Sequence, residues 1–429
     1  MALNDKKTIT GWAFYDWANS AYFLVISTAI FPAYFLARTS SKIDFFGMEL
    51  TNSSVFSYAV SLSYLVIVFL SPILSGIADY GGKRMFFLKL FTVIGSVSCI
   101  ALSFFTGDSN VWIGISAFML ATIGASGGMV FYNAYLPEIV TEDRYDQVSA
   151  KGFAYGYIGS VILLVFILFM SLKPLMFGIP EGTTIPYRLG FALVGIWWIG
   201  FAQITFIRLP KGTSTSFSKD MISKGIDEIK KVLFKVKNNS NLLKFLAAFF
   251  FYSAGVQTVI YLASIFAKEE LKFETDELII VILILQLVAI VGAYLFAIIS
   301  DKTGNKISLI IQVIIWVIIA VIAFLIENKT QFYALAGFVG MVMGGIQSQS
   351  RSAYSKIIDS EKEDLTSYFS FYDIVYKLSI VIGTFAFGIV NEITGDLRKS
   401  VLSLAFFFLI GLVFLVLTDF KQAETAVNK

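Results

Sequence analysis

The chain has 429 residues, 57% of them hydrophobic and 15% charged, with a mean hydropathy of +0.77 and a net charge of +3. Soluble domains run nearer roughly 45–50% apolar and about 25% charged, so a soluble globule is excluded and a polytopic membrane protein expected. The small net charge argues against a nucleic-acid partner, the lone Cys99 cannot build a disulfide framework or thiolate metal centre, and the absence of histidine leaves carboxylates to relay any proton.

A transmembrane helix needs roughly 20 mostly apolar residues. Runs of that kind fall at 12–37, 55–78, 86–105, 111–136, 151–173 and 187–208, and again at 243–267, 277–299, 307–326, 332–354, 368–390 and 400–418. The expected fold is all-α, with twelve membrane helices in two six-helix bundles, residues 1–208 and 242–429, joined by a cytoplasmic connector at 209–241. The opening "MALNDKKTIT" has no small-residue cleavage site after the first apolar run, so that run is expected to be retained.

The first run begins "WAFYDWANSAYF" and carries an aspartate among aromatic and small residues. At helical spacing Asp16, Asn19, Ser20, Phe23 and Ser27 form one polar stripe, with Tyr15 beside it. A carboxylate facing lipid at mid-bilayer costs roughly 2.5–3.5 kcal/mol on insertion scales, so such groups face water or a partner. Asp16 is the first candidate for proton coupling or for holding a substrate ammonium. The alternative is an interfacial N-cap, with Trp12 and Trp17 in an aromatic belt.

After the second run comes "GIADYGGKR", in which Gly81 and Gly82 permit a tight turn. Asp79 can accept backbone amides at a helix start, while Lys83 and Arg84 suit carbonyls or anionic lipid. The fourth run contains "GASGG" with no lysine–serine or lysine–threonine after it, so it is a packing or bending site and not a nucleotide loop. It closes on "FYNAYLPEI", which includes Asn133. On the fifth run Tyr155 accompanies Gly152, Gly156 and Gly159, which share a face suited to close helix packing against a span of the other half.

In the connector Ile222, Ile226, Ile229, Leu233 and Val236 form an apolar helical stripe, with Lys219, Lys224, Lys230, Lys231, Lys235 and Lys237 on the other faces. A basic amphipathic helix of this kind is expected to lie on an anionic membrane surface, a partner-binding helix being the alternative.

The second set of runs echoes the first. "FFYSAGVQT" of the seventh answers "AFYDWANSA", putting Ser253 and Gln257 opposite Asp16 and Ser20; "IISDKTGNK" answers "GIADYGGKR" with Asp301, Gly304 and Lys306; "SRSAYSKII" answers "FYNAYLPEI". Such duplication marks many secondary transporters. In the tenth run Gly344, Gln347, Ser348 and Arg351 form a stripe; in the eleventh Ser370, Asp373 and Lys377 share a face, near Tyr372. Asp16 and Asp373 balance Arg351 and Lys377, as buried charges should. Asp373 and Lys377 are also spaced to pair along their own helix. With the N-terminus inside, cytoplasmic segments hold 23 lysines and arginines against 9 outside, which places both termini in the cytoplasm.

The loop "GIADYGGKR" resembles the motif G-x-x-[AS]-D-x-x-G-[RK]-[RK] of the major facilitator superfamily, and it falls between spans two and three as there. More narrowly, "GWAFYDWANSAY", "FYNAYLPEI", "SAKGFAYGYIGS" and "GGIQSQSRSAYSKII" resemble the vacuole effluxer branch, which contains autophagy-linked vacuolar amino-acid exporters and bacterial relatives. The resemblance implies two bundles that rock about a central site, a cytoplasmic gate at Asp79, Gly82, Lys83, Arg84, Asp301, Gly304 and Lys306, and amino acids as a substrate class. The second loop departs from the motif at its leading glycine, where Ile298 stands.

The expected function is secondary active transport of a small polar solute, an amino acid or related metabolite, with proton coupling through Asp16. The site residues are Tyr15, Asp16, Asn19, Ser20, Asn133, Tyr155, Gln257, Gln347, Arg351, Tyr372, Asp373 and Lys377. The alternatives are a multidrug, sugar or lipid-precursor transporter of the same fold, for which Tyr15, Tyr155 and Tyr372 would suit a larger ligand, or a non-transporting receptor or scaffold. No enzyme chemistry, cofactor or metal is expected. Protons and membrane lipids are the other partners, the protein acts as a monomer, and its place is a bacterial inner membrane.

Overall fold

A computed structural model of the chain describes residues 3–45, 48–212, 220–358 and 364–420. Lys219 of the connector lies outside the described residues.

The first span is compound: α1 (Lys6–Ala21), a π-helical stretch (Tyr22–Ile30) and α2 (Phe31–Arg38). Pro32 sits in the first turn of α2. Within a continuous helical path proline removes one donor and its ring crowds the carbonyl four residues back, and the preceding nine residues wind wider. Phe31 N–H bonds the Ile26 carbonyl and Thr28 Oγ1 the Phe23 carbonyl at 2.8 Å, both five residues back. The chain continues through α3 (Asn52–Gly81), α4 (Arg84–Leu102), α5 (Val111–Asn133), the short α6 (Leu136–Ile139), α7 (Tyr145–Leu172) and α8 (Ile185–Arg208). The connector helix α9 (Asp220–Asn238) leads to α10 (Ser240–Leu271), α11 (Thr275–Leu325), α12 (Lys329–Ile357), α13 (Leu365–Thr394) and α14 (Leu397–Leu417). Side-chain caps set several starts: Thr51 for α3, Asn239 for α10, Asn328 for α12 and Asp396 for α14 each accept a backbone N–H of the first turn.

Ten stretches among the described residues are long and apolar enough to cross a membrane. The twelve-span expectation is recovered from two details. Gly304, at φ 81° and ψ 158°, breaks α11 into two arms, a backbone conformation that glycine adopts without strain. The other is α12, whose polar run Gln347–Ser352 lowers its hydropathy although it is as long as its neighbours. Between α2 and α3 a short ribbon that the sequence did not announce pairs β1 (Lys42–Phe45) antiparallel with β2 (Met48–Thr51), Lys42 opposite Thr51.

Contacts group the chain into two compact units. One holds Lys6–Asn133 and Tyr155–Gly225; in it α1 packs on α8, and α4 on both α5 and α8. Two of the fifth-span glycines, Gly156 and Gly159, meet α1 of this same unit: a Cβ on Gly156 would fall 2.5 Å from Ser20 Oγ, and one on Gly159 2.8 Å from the Trp17 carbonyl oxygen. The other unit holds the described residues before Lys6, Ala134–Ala154 and the described residues from Ile226 onward. Here α11 packs on α12 and α14, and α10 on α13 and α14.

The connector helix divides its apolar stripe. Val236 turns inward beside Val232, both buried, and Ile229 is half-buried, whereas Ile222, Ile226 and Leu233 stay exposed.

Candidate functional site

In the first unit Asp16 lies well inside α1, so it caps no helix, and it is only 3% exposed. The Tyr132 hydroxyl, from the end of α5, donates to Asp16 Oδ2 at 2.7 Å. Tyr132 is fixed in turn: its ring stacks on Trp12 at 4.6 Å and on Tyr15 at 4.9 Å, and Trp12 Nε1 donates to its carbonyl at 3.1 Å. Trp12 is completely buried, so it belongs to this stack and not to an interfacial belt. The Tyr15 hydroxyl meets Thr92 Oγ1 at 3.2 Å. Asn19, one turn after Asp16, is 1% exposed, and its Oδ1 has no hydrogen-bond partner among the described residues. Ser20 is half-buried against Gly156. Asn133 follows Tyr132 at the end of α5 and is buried. Tyr155 is placed differently: it packs edge-on against Phe14 at 5.5 Å and Trp17 at 6.3 Å.

In the second unit Asp373 and Lys377 pair along one face of α13, and both are buried. Tyr372 stacks on Phe249 at 4.2 Å and lies 4.9 Å from Tyr354. Gln257 on α10 is buried and Gln347 on α12 half-buried. Arg351, 1% exposed, is occupied near the start of α7: Nε donates to Ser149 Oγ at 2.9 Å, Nη2 to the Ser149 carbonyl at 2.8 Å, and the guanidinium covers Phe153 at 4.3 Å.

The loop residues also find partners. Gly82, at φ 62°, ends α3 in the left-handed conformation, Lys83 N–H bonds the Ala78 carbonyl, and Arg84 meets Asp79 at 3.4 Å. In the second copy Asp301 accepts from Gln147 Nε2 at 2.8 Å, while Lys306 donates to the carbonyls of Val416 at 2.6 Å and Thr418 at 2.7 Å, serving the open end of α14.

A residue that the sequence reading passed over is a heavily engaged carboxylate of the second unit. Asp146, in the first turn of α7 and 1% exposed, accepts from Ser300 Oγ at 2.9 Å, Asn305 Nδ2 at 2.7 Å, Lys356 Nζ at 2.8 Å and Ser352 Oγ. It ties the start of α7 to α11 beside its break and to the end of α12. An acid in a first turn is common because it favours the helix dipole, so the spacing alone gave little warning.

Outside the spans, Asp364, just before α13, holds the connector helix. Lys235 Nζ lies 3.0 Å and Lys231 Nζ 3.3 Å from it, and Lys231 also meets Glu228 at 2.8 Å. The hydrogen bond with Asp364 raises the Glu228 carboxyl above its ordinary range, with burial adding to the rise. Burial pushes Asp364 up as well, but the bonds with Glu228, Lys235 and Lys231 outweigh it and hold Asp364 below its ordinary range.

The family model described as "Vacuole effluxer Atg22 like" matches residues 4–428. The chain belongs to that family. This vacuole effluxer-like chain is 29% identical over 425 residues to the MFS-type transporter YxiO of Bacillus subtilis (strain 168), covering 98% of this chain and 96% of that one. It is 23% identical over 478 residues to Autophagy-related protein 22-1 of Aspergillus niger, covering 90% and 76%. Among solved structures, the human organic anion transporter MFSD10 superposes with a TM-score of 0.71 at 11% identity, covering 96% of this chain and 100% of that one. The major facilitator transporter FucP in its outward conformation gives 0.69 at 13%, covering 96% and 98%. The fold is that of the major facilitator superfamily, and this effluxer-family protein is a multi-pass membrane transporter, not an enzyme.

Proposed function

We propose that the protein is a proton-coupled secondary transporter of a small zwitterionic solute, an amino acid or a metabolite of similar chemistry. It acts as a monomer in a bacterial inner membrane with both termini in the cytoplasm. The observation that carries this reading is the bond from Tyr132 to Asp16 inside the first span. A hydrogen bond to an ionised carboxylate is about twice as strong as a neutral one, so protonating Asp16 loosens the tie between α1 and α5. The same span carries the π-helical stretch six residues further on, and π windings recur at functional sites. The unpartnered Asn19 Oδ1 would be satisfied by an N–H donor such as a substrate ammonium. Within the second unit, taken by itself, Lys377 is a buried cation, paired with Asp373, whose chemistry suits a carboxylate. The Asp79–Arg84 pair in one unit, and Asp301, Lys306 and Asp146 in the other, act as cytoplasmic gate residues that yield as the site changes sides.

Thermal stability of the purified protein across amino acids, sugars and nucleosides tests the substrate class, because a ligand that binds the folded state raises the midpoint by mass action. Stabilisation by amino acids, followed by counterflow of the same labelled solute in sealed vesicles, is the expected result. Stabilisation by sugars, nucleosides or bulky organic cations alone would replace the amino-acid reading, and absence of counterflow with every stabilising solute would replace transport.

A further inference from the structure

The connector helix keeps apolar side chains in the open without being a membrane span. Ile222 is 57% exposed, Leu233 50% and Phe234 68%, with Ile226 exposed beside them. On the spans such exposure is met by hydrocarbon. On α9 it occurs among Lys224, Asp227, Lys230, Lys231 and Lys237, a composition that cannot cross the bilayer core.

The roll of the helix is fixed. Val232 and Val236 are buried, and Glu228, Lys231 and Lys235 converge on Asp364. At about 100° per residue, Ile222, Ile226 and Leu233 fall within roughly 40° of one another, about a quarter turn from the buried valines. Lys230 and Lys237 border this stripe, while Asp227 lies further round the outer face. With its inner side clasped, the helix cannot turn the stripe inward. It sits between the spans α8 and α10 and is thereby tethered at a membrane surface.

We infer that α9 is an anionic-lipid docking element: Ile222, Ile226 and Leu233 enter the headgroup region of the cytoplasmic leaflet, and Lys230 and Lys237 meet lipid phosphates. The chemistry is that of interfacial amphipathic helices, in which apolar area and lysine attraction to negative headgroups act together. The clasp on Asp364 links that docking to the start of α13, the helix that carries Asp373 and Lys377.

Spin labels on the full-length protein test this. Cys99 is the only cysteine and is buried, so labels at Ile226→Cys, Leu233→Cys and Asp227→Cys report alone. In vesicles containing phosphatidylglycerol, the labels at 226 and 233 should collide more with oxygen than with a water-soluble nickel chelate, and the label at 227 the reverse. In pure phosphatidylcholine the first two should shift toward the chelate. Lys230→Gln and Lys237→Gln should each lower the docking equilibrium about fivefold, the ratio that corresponds to one lysine near a charged surface. Chelate-dominated collisions at 226 and 233 in both vesicle types would overturn the inference, as would docking indifferent to phosphatidylglycerol. Shielding of both labels from both reagents in detergent alone would assign the stripe to a protein contact and overturn it too.

Discussion

Asp16 and Asp373 are both carboxylates inside membrane spans, and they are satisfied in opposite ways. Asp373 is neutralised by Lys377 one turn along its own helix, so the pair carries no net charge and asks little of its neighbours. Asp16 takes a hydrogen bond from the neutral hydroxyl of Tyr132 on another helix. A bond of that kind strengthens when the carboxylate is ionised and weakens when it is protonated. The first arrangement cancels its charges within one helix; the second ties two helices through a bond whose strength depends on the charge of Asp16. Position in the repeat does not dictate this difference, since the seventh span carries Ser253 and Gln257 where the first carries Asp16 and Ser20.

Breaking each arrangement should give different signatures. The largest effect is expected from Lys377→Met, which leaves Asp373 buried without its cation and should cost about 3–5 kcal/mol of stability, read from thermal or denaturant midpoints. Adding Asp373→Leu should return stability to the starting level or above, because replacing a buried pair with apolar side chains is commonly neutral or stabilising. Tyr132→Phe should cost about 1.5–3 kcal/mol, the range for a hydrogen bond to a charged group, and should make substrate accumulation less dependent on the pH gradient. Should Lys377→Met prove neutral while Tyr132→Phe unfolds the protein, the contrast is the wrong way round.

The smallest effect lies outside the membrane, where a carboxyl pair shares lysines. Glu228 has its folded pKa raised, so its contribution is complete below the ordinary glutamate range and is lost as pH rises through the raised value. Asp364 is lowered, so its contribution is lost only as pH falls through its lowered value. Amide hydrogen exchange of α9, corrected for the intrinsic rate, should therefore quicken as pH rises through the raised Glu228 pKa. Glu228→Gln keeps the hydrogen bond to Asp364 at every pH and should abolish that rise, leaving the interactions of Asp364 with Lys231 and Lys235 in place.

The spans and the two buried carboxylates were legible because apolar runs of membrane length are unmistakable and a charge inside one is rare. The turn at Gly82 and the break at Gly304 were readable for a related reason, since glycine beside aspartate and lysine announces a tight loop. Asp146 was not legible: its partners Ser300, Asn305, Ser352 and Lys356 lie 154 to 210 residues away, and nothing in "TEDRYDQVSA" reveals them. Tyr132, the partner of Asp16, stands 116 residues along and reads locally as one aromatic among many. The π winding escaped because hydropathy along a fully apolar helix has little period to read. The connector helix was legible as amphipathic, but a stripe does not say which of its residues the protein itself will cover, and Val236 went inward while Leu233 did not.

The central claim is that Asp16 carries the coupling proton, and sealed vesicles test it most directly. Asp16→Asn keeps an acceptor for Tyr132 and the shape of the site, so counterflow of the stabilising solute should persist while accumulation driven by an imposed pH gradient is lost. Accumulation by Asp16→Asn at the wild-type level under the same gradient would contradict the account.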